Sequence, residues 1–186
     1  RCTSLGNLIL HEDIYDQFME MLMEKVRNTA IGDSMHDGEV LYGPMLSQKY
    51  ADDFLETIKM CDADGATKLY GEGRITAQTA PSGFLGNADE GVYMWPHVYT
   101  DVTEDMDCFM NEMFGPAITI VKARDFEHGL HLANASPYGL SSAIYTNDRL
   151  EAYRFKSGIK AGMTGINNST TGAEAHLPFG GVKGSG

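Results

Sequence analysis

A chain of 186 residues can bury a full core, and its length favours one domain with at most an appendage. Hydrophobic residues make up 42% and charged residues 22%, spread along the whole sequence, which excludes a disordered or low-complexity chain. The formal net charge of -12 excludes a nucleic-acid binder, which needs a basic footprint, and no apolar run approaches the roughly 20 residues of a membrane span.

The sequence opens on Arg1-Cys2-Thr3 without an initiator methionine, so it reads as a processed chain or a fragment, and no signal peptide is visible. Leu8-Ile9-Leu10 is a short apolar run that suits a buried strand. With Asp13 as N-cap, Ile14, Phe18, Met21, Leu22 and Val26 then recur at helical spacing, and Gly32 lies just past the end. The polar, Gly-rich stretch 32–44 reads as a loop. A second helix starts from Ser47 as cap, carries Phe54, Leu55 and Ile58 on one face and ends by Gly65, with a short strand at Thr67–Tyr70. Residues 71–91 show no clear period and read as a surface excursion or a pair of short strands; residues 92–99 look extended. Ala117-Ile118-Thr119-Ile120-Val121 is the clearest strand. A helix at 125–135, a strand at 141–145, a helix at 148–157 and a strand at 163–166 complete the order. Strands alternating with helices predict an α/β fold: an open, mostly parallel sheet with helices on both faces. Ligands in such sheets bind in the loops at the carboxyl ends of strands.

The three cysteines, Cys2, Cys61 and Cys108, are odd in number and lack CxxC spacing, which argues against a disulfide framework or a zinc site and suits a reducing, cytoplasmic setting. Taken alone, each reads as a small buried hydrophobe. Three loop segments are unusually specific: Asn111-Glu112-Met113-Phe114-Gly115-Pro116, the run from Ile166 to Glu174, and the run from Leu177 to Gly186. Each also has a plain structural reading. Gly115-Pro116 suits a turn, Glu112 a solvated charge, and the last stretch a frayed tail or flexible linker. That stretch lacks the strand–GxGxxG–helix context of a phosphate-cradling loop.

In order and spacing these segments resemble the C-terminal catalytic domain of an aldehyde dehydrogenase. The resemblance runs from Arg1-Cys2-Thr3 through Glu112-x-Phe-Gly-Pro, Ala133-Asn134, Tyr138-Gly139-Leu140-Ser141, Gly162 and Asn167 to Pro178-Phe-Gly-Gly and Lys183-x-Ser-Gly, nearly the whole chain. It implies that residues 1–186 form one catalytic domain, incomplete at both ends. The cofactor-binding domain, the general-base Glu and the oxyanion-hole Asn would lie upstream, and an oligomerisation strand downstream, so that this piece alone is expected to be inactive.

What the resemblance implies can be assigned residue by residue. Cys2 matches the nucleophile, whose thiolate forms a thiohemiacetal with the aldehyde; hydride passes to NAD or NADP, and water hydrolyses the thioester. Glu112 matches the carboxylate that accepts hydrogen bonds from the nicotinamide ribose. Phe114 matches an aromatic beside the nicotinamide ring, and Phe179 one in the substrate tunnel, with ordinary core packing as the alternative for both. Arg-Cys-Thr together with Gly172-Ala173-Glu174 is similar to the α-aminoadipic semialdehyde branch, from whose pattern Pro178 departs. In that branch Arg1, Thr3, Gly172 and Ala173 would hold the substrate's distal carboxylate. The expected activity is NAD(P)-dependent oxidation of a carboxylate-bearing semialdehyde to the acid. The alternatives are a CoA-acylating semialdehyde dehydrogenase, or a non-catalytic protein on the same fold. The implied partner is a small-molecule aldehyde, with no nucleic acid, membrane or metal, and the full-length protein would be a homodimer or homotetramer.

Overall fold

The segment Ala117–Ala123 carries the pattern that organises the fold. Ala117, Val121 and Ala123 pack into one core cluster, while Ile118 and Ile120 pack into another. This is the two-residue period of a strand buried on both faces. In the computed structural model, which describes residues 2–36, 38–172 and 174–186, this segment is strand β6. It lies between β1 (Asn7–His11) and β5 (His97–Thr100), and β2 (Thr67–Tyr70) closes the far side, giving the order β1-β6-β5-β2. β1 and β5 run parallel to β6, and β2 runs antiparallel to β5. The sheet is therefore mixed and mostly parallel, as expected.

Helices cover both faces. Helix α1 (Glu12–Arg27) buries Tyr15, Met19 and Met23 against Leu10, Val98 and Ile120. Helix α2 (Gln48–Ala63) buries Ala51, Phe54, Ile58 and Cys61 against the opposite face, in one cluster with Tyr99, Val121 and Leu132; Leu132 comes from α4 (Phe126–Ala135). Ser47 precedes α2 as expected, and Asp125 caps α4 by accepting from the His128 N–H at 2.8 Å.

In α1 the structure corrects the expectation twice. The cap is His11, whose Nδ1 accepts from Asp13 N–H at 3.2 Å, so β1 passes into α1 with no intervening residue. The apolar spacing also marked the buried face only in part: Leu22 and Val26 pack against this cluster, but Ile14, Phe18 and Met21 stay 50%, 38% and 56% exposed. Tyr15 competes successfully for the interior because its hydroxyl pairs with the Thr100 hydroxyl and its ring lies 4.0 Å beneath Lys122 Nζ.

Elsewhere Pro96, which has no N–H to give to a ladder, splits residues 92–99 into β4 (Tyr93–Met94) and β5. β4 pairs with β3 (Arg74–Ile75), and Trp95 N–H donates to Gly73 O at 2.8 Å, so residues 71–91 supply one short strand and a 3-10 turn at Ala88–Glu90. A one-turn helix, α3 (Asp107–Met110), had no sequence signal, because four residues cannot show a period. Its second amide, on Cys108, donates to Asp64 Oδ2 at 2.8 Å.

β7 (Ser141–Ile144) and β8 (Met163–Ile166) form a separate parallel pair joined by α5 (Arg149–Gly158), which Asp148 caps. The terminal Gly-rich run docks here, which rules out the flexible-tail reading. Val182 N–H donates to Gly139 O at 3.0 Å, and Lys183 Nζ donates to Asn134 O at 3.1 Å and Ser136 O at 2.7 Å. A Cβ on Gly162 would sit 2.0 Å from Gly180 O, so backbone lies directly on backbone. Among the described residues no helix is long and apolar enough to cross a membrane.

Candidate active site

The loops of the β1–β6 pair decide where chemistry can sit. At the carboxyl edge there is almost none: β1 abuts α1, and only Arg124 and Asp125 separate β6 from α4. The amino edge carries the chain around Cys2 ahead of β1 and the long connection from Asp101 to Pro116 ahead of β6. Because β1 and β6 are parallel, with Asn7 opposite Thr119, the two amino ends lie side by side. Cys2, Glu112 and Phe114 therefore lie ahead of their strands, while the loop after β8 lies at a carboxyl end as expected.

A cleft of about 1300 Å³ opens there and runs between β1 and β7. Cys2, Glu112 and Phe114 all line it, together with Ser169 and Thr170 of the loop after β8. Leu5, Ile14, Phe18 and Leu46 form an apolar wall.

The Glu112 loop is held from below. Met113 Sδ lies 3.2 Å from Cys61 Sγ in the core. Gly115 lies flat on Phe54, where a Cβ would approach the ring to 2.2 Å. Gly115 N–H donates to Met113 O at 2.8 Å, and Ala117 N–H to Gly115 O at 2.9 Å, two tight turns in succession. With Met113 and Gly115 turned inward, Glu112 and Phe114 face out, and Phe114 is 53% exposed. A carboxylate and an aromatic ring two residues apart, on a loop anchored at both neighbours, fit the ribose hydroxyls and the flat nicotinamide ring of a dinucleotide.

Asn7 couples the two halves of the site. Its Nδ2 donates to Phe109 O at 3.0 Å, and its Oδ1 accepts from Thr119 Oγ1 at 2.5 Å. The strand that follows Cys2 is thereby tied to the helix that precedes Glu112. Sequence reasoning passed over Asn7, since a lone Asn at a strand start has no signature. The spacing of Ile14 and Phe18 marked an apolar helix face, and both residues line the cleft.

The remaining expected residues divide. Arg1 and Ala173 lie outside the described residues. Thr3 is buried next to Cys2 and does not line the cleft, while Gly172 and Phe179 are exposed and also lie off it. Several motif residues act as struts. Asn167, at φ 52°, donates to Thr146 O at 3.0 Å and accepts from Thr146 N–H at 2.9 Å, fastening the ends of β7 and β8. Asn134 joins Gly158 O and Lys160 N–H. Cys61 and Cys108 are buried, so among the cysteines Cys2 alone is exposed.

The model of the aldehyde dehydrogenase family matches residues 1–186, the entire chain. The chain belongs to the aldehyde dehydrogenase family. Curated relatives include an alpha-ketoglutarate semialdehyde dehydrogenase of Haloferax volcanii, 38% identical over 182 residues, which covers 98% of this chain and 36% of the relative. A vanillin dehydrogenase of Corynebacterium glutamicum is 37% identical, covering 100% of this chain and 35% of the relative. Among solved structures, betaine aldehyde dehydrogenase of Staphylococcus aureus in complex with NAD+ superposes with a TM-score of 0.86 at 26% identity, covering 96% of this chain and 34% of a chain of that enzyme in its P449M form, and 33% in the unmutated form. This aldehyde dehydrogenase chain thus spans about a third of the length of the curated relatives it matches.

Proposed function

We propose that this chain supplies the nucleophile and the cofactor-ribose contacts of an NAD(P)-dependent aldehyde dehydrogenase that oxidises a carboxylate-bearing semialdehyde to the acid. The observation that carries this reading is that the one exposed thiol, Cys2, shares a cleft with Glu112 and Phe114. The Cys2 thiolate attacks the carbonyl carbon and holds the substrate as a thiohemiacetal, then as a thioester that water can hydrolyse. The dinucleotide, when bound, supplies the hydride acceptor. Glu112 accepts hydrogen bonds from the ribose hydroxyls, and Phe114 gives the ring an apolar face. Ile14, Phe18 and Leu46 line the approach with apolar surface and limit stray water. Ser169 and Thr170 bring hydroxyl groups to the same cleft from the loop after β8. The semialdehyde assignment is supported by the Haloferax relative's name, while the vanillin relative marks aromatic aldehydes as the competing class.

The test assays the polypeptide that carries this chain on an aliphatic semialdehyde and on an aromatic aldehyde, with NAD+ and with NADP+, following nicotinamide reduction. Cys2→Ala is expected to abolish turnover while leaving dinucleotide binding intact. Turnover retained in Cys2→Ala would refute the assigned role of the thiol. An acyl-CoA product in place of the free acid would refute the hydrolytic step.

A further inference from the structure

A buried histidine, which the chemistry above does not use, meets the Glu112 loop by two routes. His97 opens β5 and is 2% exposed. Its backbone N–H donates to Pro116 O at 2.8 Å, next to its register partner Ala117. Its ring stands edge-on to Phe54, the ring on which Gly115 lies flat, with centroids 5.5 Å apart. The imidazole itself is closely confined. It stacks on Tyr99 with centroids 6.5 Å apart, and Nδ1 lies 2.8 Å from Trp95 O. A Cβ on Gly71 would come within 2.4 Å of its Cδ2 and 2.8 Å of its Nε2.

We propose that His97 is a positioning residue for the Glu112 loop: its neutral ring braces Phe54 as the seat of Gly115, and protonation of that ring loosens the seat. A carbonyl only accepts, so the contact with Trp95 O fixes a proton on Nδ1, and a second proton can go only to Nε2. Nε2 faces the Gly71 backbone, where there is no room for water. The charged groups that face the ring are Lys68 of β2, which opposes a second positive charge, and Asp62 of α2, which favours one. Asp62 is already shared: Oδ1 accepts from the Tyr99 hydroxyl at 3.2 Å, and Oδ2 lies 3.7 Å from Lys68 Nζ. Burial therefore outweighs Asp62 and keeps the ring neutral near pH 7. Once charged, the ring can regain hydration only by leaving its packed place, and Phe54 then loses its brace.

Only the resulting loss of cofactor affinity rests on the aldehyde dehydrogenase reading of Glu112; the coupling of His97 to the loop does not.

The experiment uses the polypeptide that carries this chain and compares the parent with two variants. His97→Phe keeps a ring against Phe54 but takes no charge, whereas His97→Asn keeps a donor for Trp95 O but removes the ring. Hydrogen exchange of the amides in 111–116 and the KM for the dinucleotide are read at about pH 7.5 and about pH 5, each variant against the parent at the same pH. At the higher pH the parent loop is expected to match His97→Phe and to be severalfold better protected than His97→Asn. At the lower pH it should fall severalfold below His97→Phe and approach His97→Asn. The KM should follow the same order, with the ratios of kcat unchanged. An acid response of the loop that is equal in the parent and His97→Phe would overturn the proposal. So would a response spread evenly over the amides of β1 and β6, which is what a plain loss of stability gives. A loop response without a KM response would support the positioning role and refute the cofactor reading of Glu112.

Discussion

Gly115→Ala tests how tightly the candidate cofactor loop is seated. The added Cβ would meet three ring atoms of Phe54, at 2.2, 2.6 and 2.8 Å. That ring cannot step aside easily: Phe54 is 1% exposed and stands edge-on to His97 with centroids 5.5 Å apart. Overpacking of this kind costs about 1–3 kcal/mol. For a chain of this size each kcal/mol moves the melting temperature by about 2–4 °C, so a fall of about 2–12 °C is expected. Thermal unfolding by circular dichroism or calorimetry reads it. Phe54→Leu removes the obstructing ring at a cavity cost of its own. The double variant should then be more stable than the sum of the two single losses, by about 0.5–3 kcal/mol. Melting of Gly115→Ala within about one degree of the parent chain would refute the seating argument, as would strict additivity.

Other expectations follow from single contacts. Asn7→Ala removes two hydrogen bonds between β1, α3 and β6 and should cost about 1–3 kcal/mol in urea unfolding, with a rise in KM for the dinucleotide as the Glu112 side loosens. Asn167→Gly keeps the left-handed backbone but loses the clasp on Thr146, whereas Asn167→Ala adds backbone strain; Ala should be the less stable by about 1 kcal/mol. Asp148→Ala strips two amides at the start of α5 of their acceptor and should cost about 1 kcal/mol. His97 is buried, and burial draws its imidazole below the ordinary value of 6.5. The unfolded chain therefore takes up this proton first. Stability is fully present above pH 6.5 and falls below it, by up to about 1.4 kcal/mol per pH unit, until the folded group also protonates. His97→Phe should flatten that part of the profile, and an unchanged slope would show that other groups set it.

The strands and long helices were legible because burial on both faces leaves a strong pattern, as in Ala117–Ala123. Which face of α1 turns inward was not. Ile14–Phe18 and Tyr15–Met19–Met23 are both apolar at helical spacing, and the choice falls to a hydroxyl contact with Thr100 across 85 residues. α3 was illegible because a single turn has no period, and the split at Trp95-Pro96 because its partner strand, Arg74–Ile75, is only two residues long. Cys2, Glu112 and Phe114 were found from motif order, and the structure puts them in one cleft. Asn134, Asn167 and Lys183 belong to the same motif set, yet they bind backbone, which spacing alone cannot tell from binding substrate. The edge on which the site lies depended on loop lengths, and those depended on element ends that periodicity leaves open by a few residues.

The junction at His11 and Glu12 also sets where this chain can change length. One residue inserted there would turn α1 by about 100° and carry Tyr15, Met19 and Met23 off the sheet. The connection from Asp101 to Pro116 is far longer than the junctions at the other edge. Insertions and deletions that reshape the cleft can therefore accumulate on the side that holds Glu112, while the opposite side stays fixed in length.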